Sequence, residues 1–396
     1  MLPASYRPLL TTPSVARALA TSLLARVGQP AGALAVTLLV VQRTGSYASV
    51  GLVSACWVVA TGLGSLLWSR LVDRGRSVRA VLLGTALVNG LGLVALVTVQ
   101  SGSTLVLAGL TAAAALFTAP VTQVARALWP ALLPDPDARA AMYSLEATVQ
   151  ELVFIVGPAL SGAVAAVASP SAAVLAAGVV AVAGVVSFAA TPGLDRIAGG
   201  PRQPTRLDRL RPLLPLFVAG FLLICGLSWV EVGVVGAAGS AGRTEAAGAL
   251  LAVWSAGSLV GGLVGGARPA RRGPARRLLL LLAGTAVAHA MLAAASGLLP
   301  LAGLLVLAGA LVAPALGGIY TLVGQAAPPG AVTQTFAGLA VALLGGAAAG
   351  SALAGLVVQE HGVAPAFLLG AVPPALAAAV VAVTIGRRAA VPTAVG

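Results

Sequence analysis

The sequence predicts an all-α polytopic membrane protein, with twelve transmembrane helices in two pseudo-symmetric six-helix bundles. Hydrophobic residues fill 59% of the 396 positions and charged residues only 8%, against about 25% charged in a soluble domain. Residues 80–125, 152–194 and 278–359 contain no Asp, Glu, Lys or Arg. One span needs about 20 apolar residues, so each stretch holds two or three. The basic residues are all arginine and lie between apolar runs.

The first apolar segment, 15–41, is too long for a signal-peptide core and has no small-residue cleavage site after it, so it is expected to stay as a helix. Turn-forming breaks at Arg43-Thr44-Gly45-Ser46, Gln100-Ser101-Gly102-Ser103 and Ser169-Pro170-Ser171, together with the arginine-rich breaks, delimit 46–70, 79–99, 104–129, 139–168 and 171–191. The same signals at Gly239-Ser240-Ala241-Gly242, Pro328-Pro329-Gly330 and Glu360-His361-Gly362 give 213–238, 245–267, 276–297, 300–326, 331–359 and 363–386.

The expected organisation is an amino-terminal bundle over 1–191, a solvated linker over 192–212 and a carboxy-terminal bundle over 213–396. The linker holds five arginines with Pro192, Pro201, Pro204 and Pro212. An internal repeat supports the division: the run from Gly51 returns from Gly248, aligning Trp57 with Trp254, and Gly84-Thr85-Ala86 returns as Gly284-Thr285-Ala286. Gly257, Gly261 and Gly265, and Gly346 with Gly350, recur at every fourth residue, the spacing that lets helix backbones approach closely.

A net charge of +13 read alone would suit a nucleic-acid binder, but its placement argues against one. Arg70, Arg74, Arg76 and Arg79, then Arg196 to Arg211, then Arg268 to Arg277 fall in alternate loops, the positive-inside pattern. Both termini are therefore expected in the cytoplasm, with the chain in the plasma membrane and the lipid bilayer as a partner. Cys56 and Cys225 fall inside spans and read as packing residues. No metal-ligand cluster, phosphate loop or nucleophile elbow occurs, so neither an enzyme nor a cofactor or metal site is expected.

The loop from Ser69 to Arg79, with Asp73, Arg74, Gly75 and Arg76 at its centre, resembles the signature G-x-x-x-D-R-x-G-R-R of the major facilitator superfamily. Ser69 replaces the first Gly, and Gly75 comes one residue early. The resemblance implies a secondary transporter, expected to be monomeric. It also implies a gate in which the aspartate, here Asp73, sits near the N-terminus of helix 11 and an arginine on helix 4, here Arg126, in the outward-facing state only. Glu146 is expected to join this gate network. A solvated arginine loop that only sets topology is the plainer reading of the remaining arginines.

Gly157-Pro158 with Gly162 resembles the G-P-x-x-G-G element of exporters in helix 5, where the kink is expected to press on a neighbouring helix; a plain proline kink is the alternative. Residues 124–162 also resemble the enterobactin-exporter and macrolide-efflux branch, which implies export.

Ionisable residues within spans are costly unless paired or hydrated. Arg26 and Glu151 lie at matching depth, roughly 18 Å in at 1.5 Å per residue, and are expected to pair. Separating them in the transport cycle would couple proton uptake to transport, while a permanent structural pair is the alternative. Glu231 is a further proton-coupling candidate or a snorkelling interfacial acid; His289, on a peripheral helix, reads as non-functional. Helices 1, 4, 7 and 10 line the cavity in the superfamily, which nominates Gln29, Thr122, Gln123, Phe221, Trp229, Tyr320 and Gln325 as substrate contacts. The small aliphatic lining suits an amphiphilic small molecule. The leading reading is proton-coupled efflux of a drug or secondary metabolite, and the alternative is uptake or facilitated diffusion.

Overall fold

The protein, a computed structural model, is described over residues 6–199, 211–243, 246–266 and 273–389, and among these all regular structure is helical. Among the described residues twelve helices are long and apolar enough to span a bilayer. They are α1 (Pro13–Thr44), α2 (Ser49–Asp73), α3 (Val78–Thr98), α4 (Thr104–Leu132), α5 (Pro136–Val167), α6 (Pro170–Ala189), α7 (Arg211–Ser240), α8 (Ala246–Gly265), α9 (Pro274–Leu292), α10 (Leu298–Ala326), α11 (Val332–His361) and α12 (Val363–Thr384). Most of the second arginine cluster, and Arg268, Arg271 and Arg272 of the third, lie outside the described residues.

Polar residues at the breaks begin the helices. Ser46, Ser77 and Ser169 each accept a backbone N–H from the first turn that follows, and Asp135 accepts two, with Pro136 and Pro170 in the next position. Gly75, at φ 81°, closes α2 where a side chain would be strained. The start of the expected linker is not free coil: Leu194–Gly199 forms a 3-10 turn with Leu194 fully buried, and Asp195 pairs with Arg79 at 3.1 Å.

Each set of six helices packs on itself in the same way. In the first, α1 packs on α5 and α6, α2 on α4, and α3 on α6; in the second, α7 packs on α11 and α12, α8 on α10, and α9 on α12. Leu63, Leu105, Val167, Val179 and Leu299 stand exposed on the outer faces, as a lipid-facing surface requires.

Both bundles share a device that the apolar pattern concealed. The continuous helices expected at 104–129 and 300–326 are each broken, at Phe117–Pro120 and at Ala310–Leu311. Pro120 and Pro314 lack the N–H that would bond to the carbonyls of Leu116 and Ala310. The Leu116 carbonyl is instead capped by the Trp68 indole at 2.7 Å, and the nearby Ala114 carbonyl by the Asn89 amide at 2.8 Å. A Cβ on Gly64 would collide with the Leu116 carbonyl, and one on Gly261 with the Ala310 carbonyl. Gly64 and Gly261 share the 197-residue offset that relates Gly51 to Gly248. The glycine spacing in α8 therefore serves a close α8–α10 contact, continued by Gly257 against Val306 and Gly265 against Pro314. Gly346 and Gly350 press in the same way on the Phe221 and Cys225 carbonyls of α7.

Candidate functional site

The two bundles meet at the ends of the helices that carry the Ser69–Arg79 loop. There Asp73 accepts the backbone N–H of Gln334, in the first turn of α11, at 2.7 Å. Tyr6 donates to the Gly262 carbonyl at 2.9 Å, and the α5 residues Tyr143, Ser144 and Thr148 abut Gly324, Gly317 and Gly262. Along α5, Ala141 through Thr148 are all buried. Further along, Leu152, Phe154, Ile155 and Val156 are exposed, covering all but the face of Val153 and Gly157. The bundles are thus sealed at the arginine-loop end and part beyond the middle of α5.

A charged cluster lies inside the seal. Glu146 is fully buried; its Oε1 accepts from Arg126 Nε and Arg26 Nη1, both at 2.9 Å, and its Oε2 accepts from the Trp129 indole at 2.7 Å. Arg26 Nη1 also donates to Gln150 at 3.1 Å. The Arg126 guanidinium stacks 3.6 Å from the centre of the Tyr320 ring and 5.5 Å from that of Phe336, both from the opposite bundle. Arg126 therefore joins α4 to α10 and α11 by a cation–π contact, while its ion pair stays within its own bundle.

Two expected contacts are corrected. Arg26 pairs with Glu146, not with Glu151. At about 100° per residue, Glu146 and Gln150 share a face of α5 directed at α1, whereas Glu151 lies a further 100° round. Equal depth did not imply equal direction. Glu151 instead accepts from Ser258 of α8 at 3.2 Å across the bundle interface, and Glu231 of α7 is close enough for the two carboxylates to interact. Asp73 likewise meets the N-terminus of α11 but not Arg126, whose guanidinium is committed to Glu146 and Tyr320.

The sequence matches the profile of the Major Facilitator Superfamily over residues 18–235, more than half of the chain. The chain belongs to the major facilitator superfamily. Among solved structures it is similar to a bacterial homologue of the iron transporter ferroportin in an outward-facing state, with TM-score 0.78, 14% identity, and coverage of 94% of this chain and 99% of that one. The human organic anion transporter MFSD10 (TETRAN) follows at TM-score 0.70 and 14% identity, covering 92% and 99%. The E. coli fucose:proton symporter FucP matches at 0.70 and 16%, covering 94% and 98%. These likenesses show the fold. No curated protein sequence matches the chain. The superfamily and these neighbours are transporters, not enzymes.

Within this superfamily fold the remaining candidates divide. Arg74 and Arg76 are exposed, which leaves Asp73 as the loop residue engaged with the other bundle. On α5, Gly157 presses on Val27, Pro30 and Ala31 of α1, but Gly162 meets open space. Ser161, four residues from Gly157 and so on its face, donates to the Ala31 carbonyl at 2.7 Å and takes the contact expected of Gly162. Gln29 and Thr122 line a cleft shared with Arg26. Gln123 is spent on Ser65 at 2.9 Å within its own bundle. Phe221 packs over Gly345, and Gln325 lines a shallow recess beside Tyr143 at the sealed end. Trp229, expected in the cavity, is buried against Gly370 of α12 in the core. His289 is a fully buried tie, 3.2 Å from the Gly370 carbonyl.

Gln150, Trp129, Ser258 and Phe336 were absent from the sequence-derived candidates. The Glu146–Gln150 spacing of four was the available signal for the first; the others depend on contacts between helices remote in sequence.

Proposed function

We propose that the chain exports a small amphiphilic compound by alternating access, driven by proton uptake, from a plasma membrane in which the arginine-loop side faces the cytoplasm. On that orientation the observed arrangement is outward-facing. The supporting observation is the position of Glu151. Its carboxylate lies where the seal ends, hydrogen-bonded across the bundles to Ser258, near Glu231, and with no ion-pairing arginine among the described residues. A carboxylate so placed meets external protons in this state and is released from Ser258 when the bundles reverse, which ties its protonation to the conformational step. The resemblance of residues 124–162 to the efflux branch, and the Gly157 contact on α1, support the outward direction.

The test is flux in inverted membrane vesicles under an imposed pH gradient. Accumulation that collapses on adding an uncoupler supports proton-driven export. Accumulation indifferent to the gradient, or flux only toward the arginine-loop side, refutes it.

A further inference from the structure

The buried cluster in the seal is short of one negative charge. Arg26 and Arg126 are each 4% exposed and Glu146 is 0% exposed, so two guanidinium groups share one carboxylate. Charges held this far from water require compensation. Arg126 has a second source in the Tyr320 and Phe336 rings. Arg26 has none: its Nη1 serves Glu146 and Gln150, while its Nε and Nη2 are buried without an acceptor among the described residues.

Those two nitrogens form one edge of the guanidinium. Their N–H bonds run parallel and match the two oxygens of a carboxylate, the geometry of bidentate arginine recognition. Arg26 also lines a cleft within the amino-terminal bundle, where Gln29, Thr118 and Thr122 stand beside the Trp57 ring among otherwise mostly apolar side chains, an amphiphilic lining. The acids on α5 and at the end of α2 are otherwise engaged. Both Glu146 oxygens are occupied, Glu151 is turned to Ser258 on α8, and Asp73 is held at the end of α11. Water would satisfy the N–H groups but would not neutralise the charge.

We propose that Arg26 receives the head group of an anionic substrate, so that the transported compound is a singly charged amphiphile of the carboxylate type. The missing charge arrives with the ligand. This deepens the transport reading above and rests on it, since a substrate-binding Arg26 presumes a transported substrate.

The test uses purified full-length protein and a series of arylalkanoic acids of increasing chain length, each with its methyl ester and its primary-amine counterpart, read by ligand-induced shift in melting temperature. At least one carboxylate is expected to stabilise the protein, with its ester and amine binding at least roughly tenfold more weakly. Arg26→Lys, which keeps the charge and removes the bidentate edge, is expected to weaken carboxylate binding roughly tenfold, and Arg26→Gln to abolish it. Esters or amines binding as well as the acids overturn the proposal on wild-type protein alone, whether or not a variant folds. So do undiminished binding by Arg26→Lys and the absence of stabilisation by every acid. Gradient-driven flux of a neutral or cationic compound would refute the anion assignment and leave the transport reading intact, whereas carboxylate binding without gradient-driven flux would do the reverse.

Discussion

The Asp73 carboxylate and the Gln334 backbone N–H, 261 residues apart in sequence, stand 2.7 Å from each other across the seam between the bundles. The contact combines a charge-assisted hydrogen bond with the positive end of the α11 dipole, and it exists only while this end is closed. Such a bond contributes about 1.5–3 kcal/mol. Asp73→Asn is therefore expected to shift the resting population toward the state open at the arginine-loop end by roughly tenfold or more. The measurement is the labelling rate of single cysteines placed on the exposed stretch of α5, which should fall. Unchanged labelling on both faces of the membrane would remove the latch role.

Tyr6 is a second latch on the same seam. Burial disfavours the tyrosinate and pushes its pKa up to about 12, so the hydroxyl remains the donor to Gly262 at any physiological pH. Tyr6→Phe keeps the ring and loses one hydrogen bond of about 1 kcal/mol. The population shift should have the same sign as for Asp73→Asn, be smaller, and show no pH dependence between pH 5 and pH 9, a window set about three units below that pKa. A titrating shift within that window would contradict it.

Glu146 carries the ion pairs of two arginines, so its removal should act on stability before mechanism. Glu146→Gln leaves two buried guanidinium groups with one neutral amide. A cost of about 3–5 kcal/mol is expected, seen as a large fall in melting temperature or loss of folded protein. An unchanged melting temperature would show that the cluster is hydrated in a way its burial does not suggest.

The twelve-helix organisation was legible because bilayer thickness imposes long charge-free runs, separated here by turn-forming and arginine-rich breaks. The breaks in α4 and α10 were hidden, since Pro120 and Pro314 lie within uninterrupted apolar sequence and their orphaned carbonyls are met by other helices. The Arg26 partner was misread for a related reason. Depth along a helix follows from counting residues, but direction depends on rotation, and five residues along α5 separate Glu146 from Glu151 by about 140°. Trp229 shows the same limit: nothing local distinguishes a tryptophan facing a cavity from one packed on Gly370 of a distant helix.

The repeated glycine contact gives a matched pair of substitutions. Gly261→Ala drives a methyl group into the Ala310 carbonyl, whereas a Cβ on Gly248, in the same helix, meets nothing within 4 Å. The first should destabilise by about 1–3 kcal/mol through overpacking. The second should stay within about 0.5 kcal/mol. Melting temperatures of the two variants decide the matter, and equal values would show that the α8–α10 approach relaxes at no cost.

Glu151→Gln separates coupling from folding. The amide keeps the size of the side chain and can still accept from Ser258, so the seam and the melting temperature should be preserved. On the proposed function, what is lost is the group whose protonation follows the parting and closing of the bundles. Flux in vesicles should then persist down a substrate gradient but no longer respond to an imposed pH gradient. The same substitution at Glu231, exposed on the open side and making no hydrogen bond or ion pair to the other bundle among the described residues, should reduce the response less. Full gradient-dependent accumulation by Glu151→Gln would move the coupling role to another acid, with Glu231, the exposed carboxylate of α7, the first to examine.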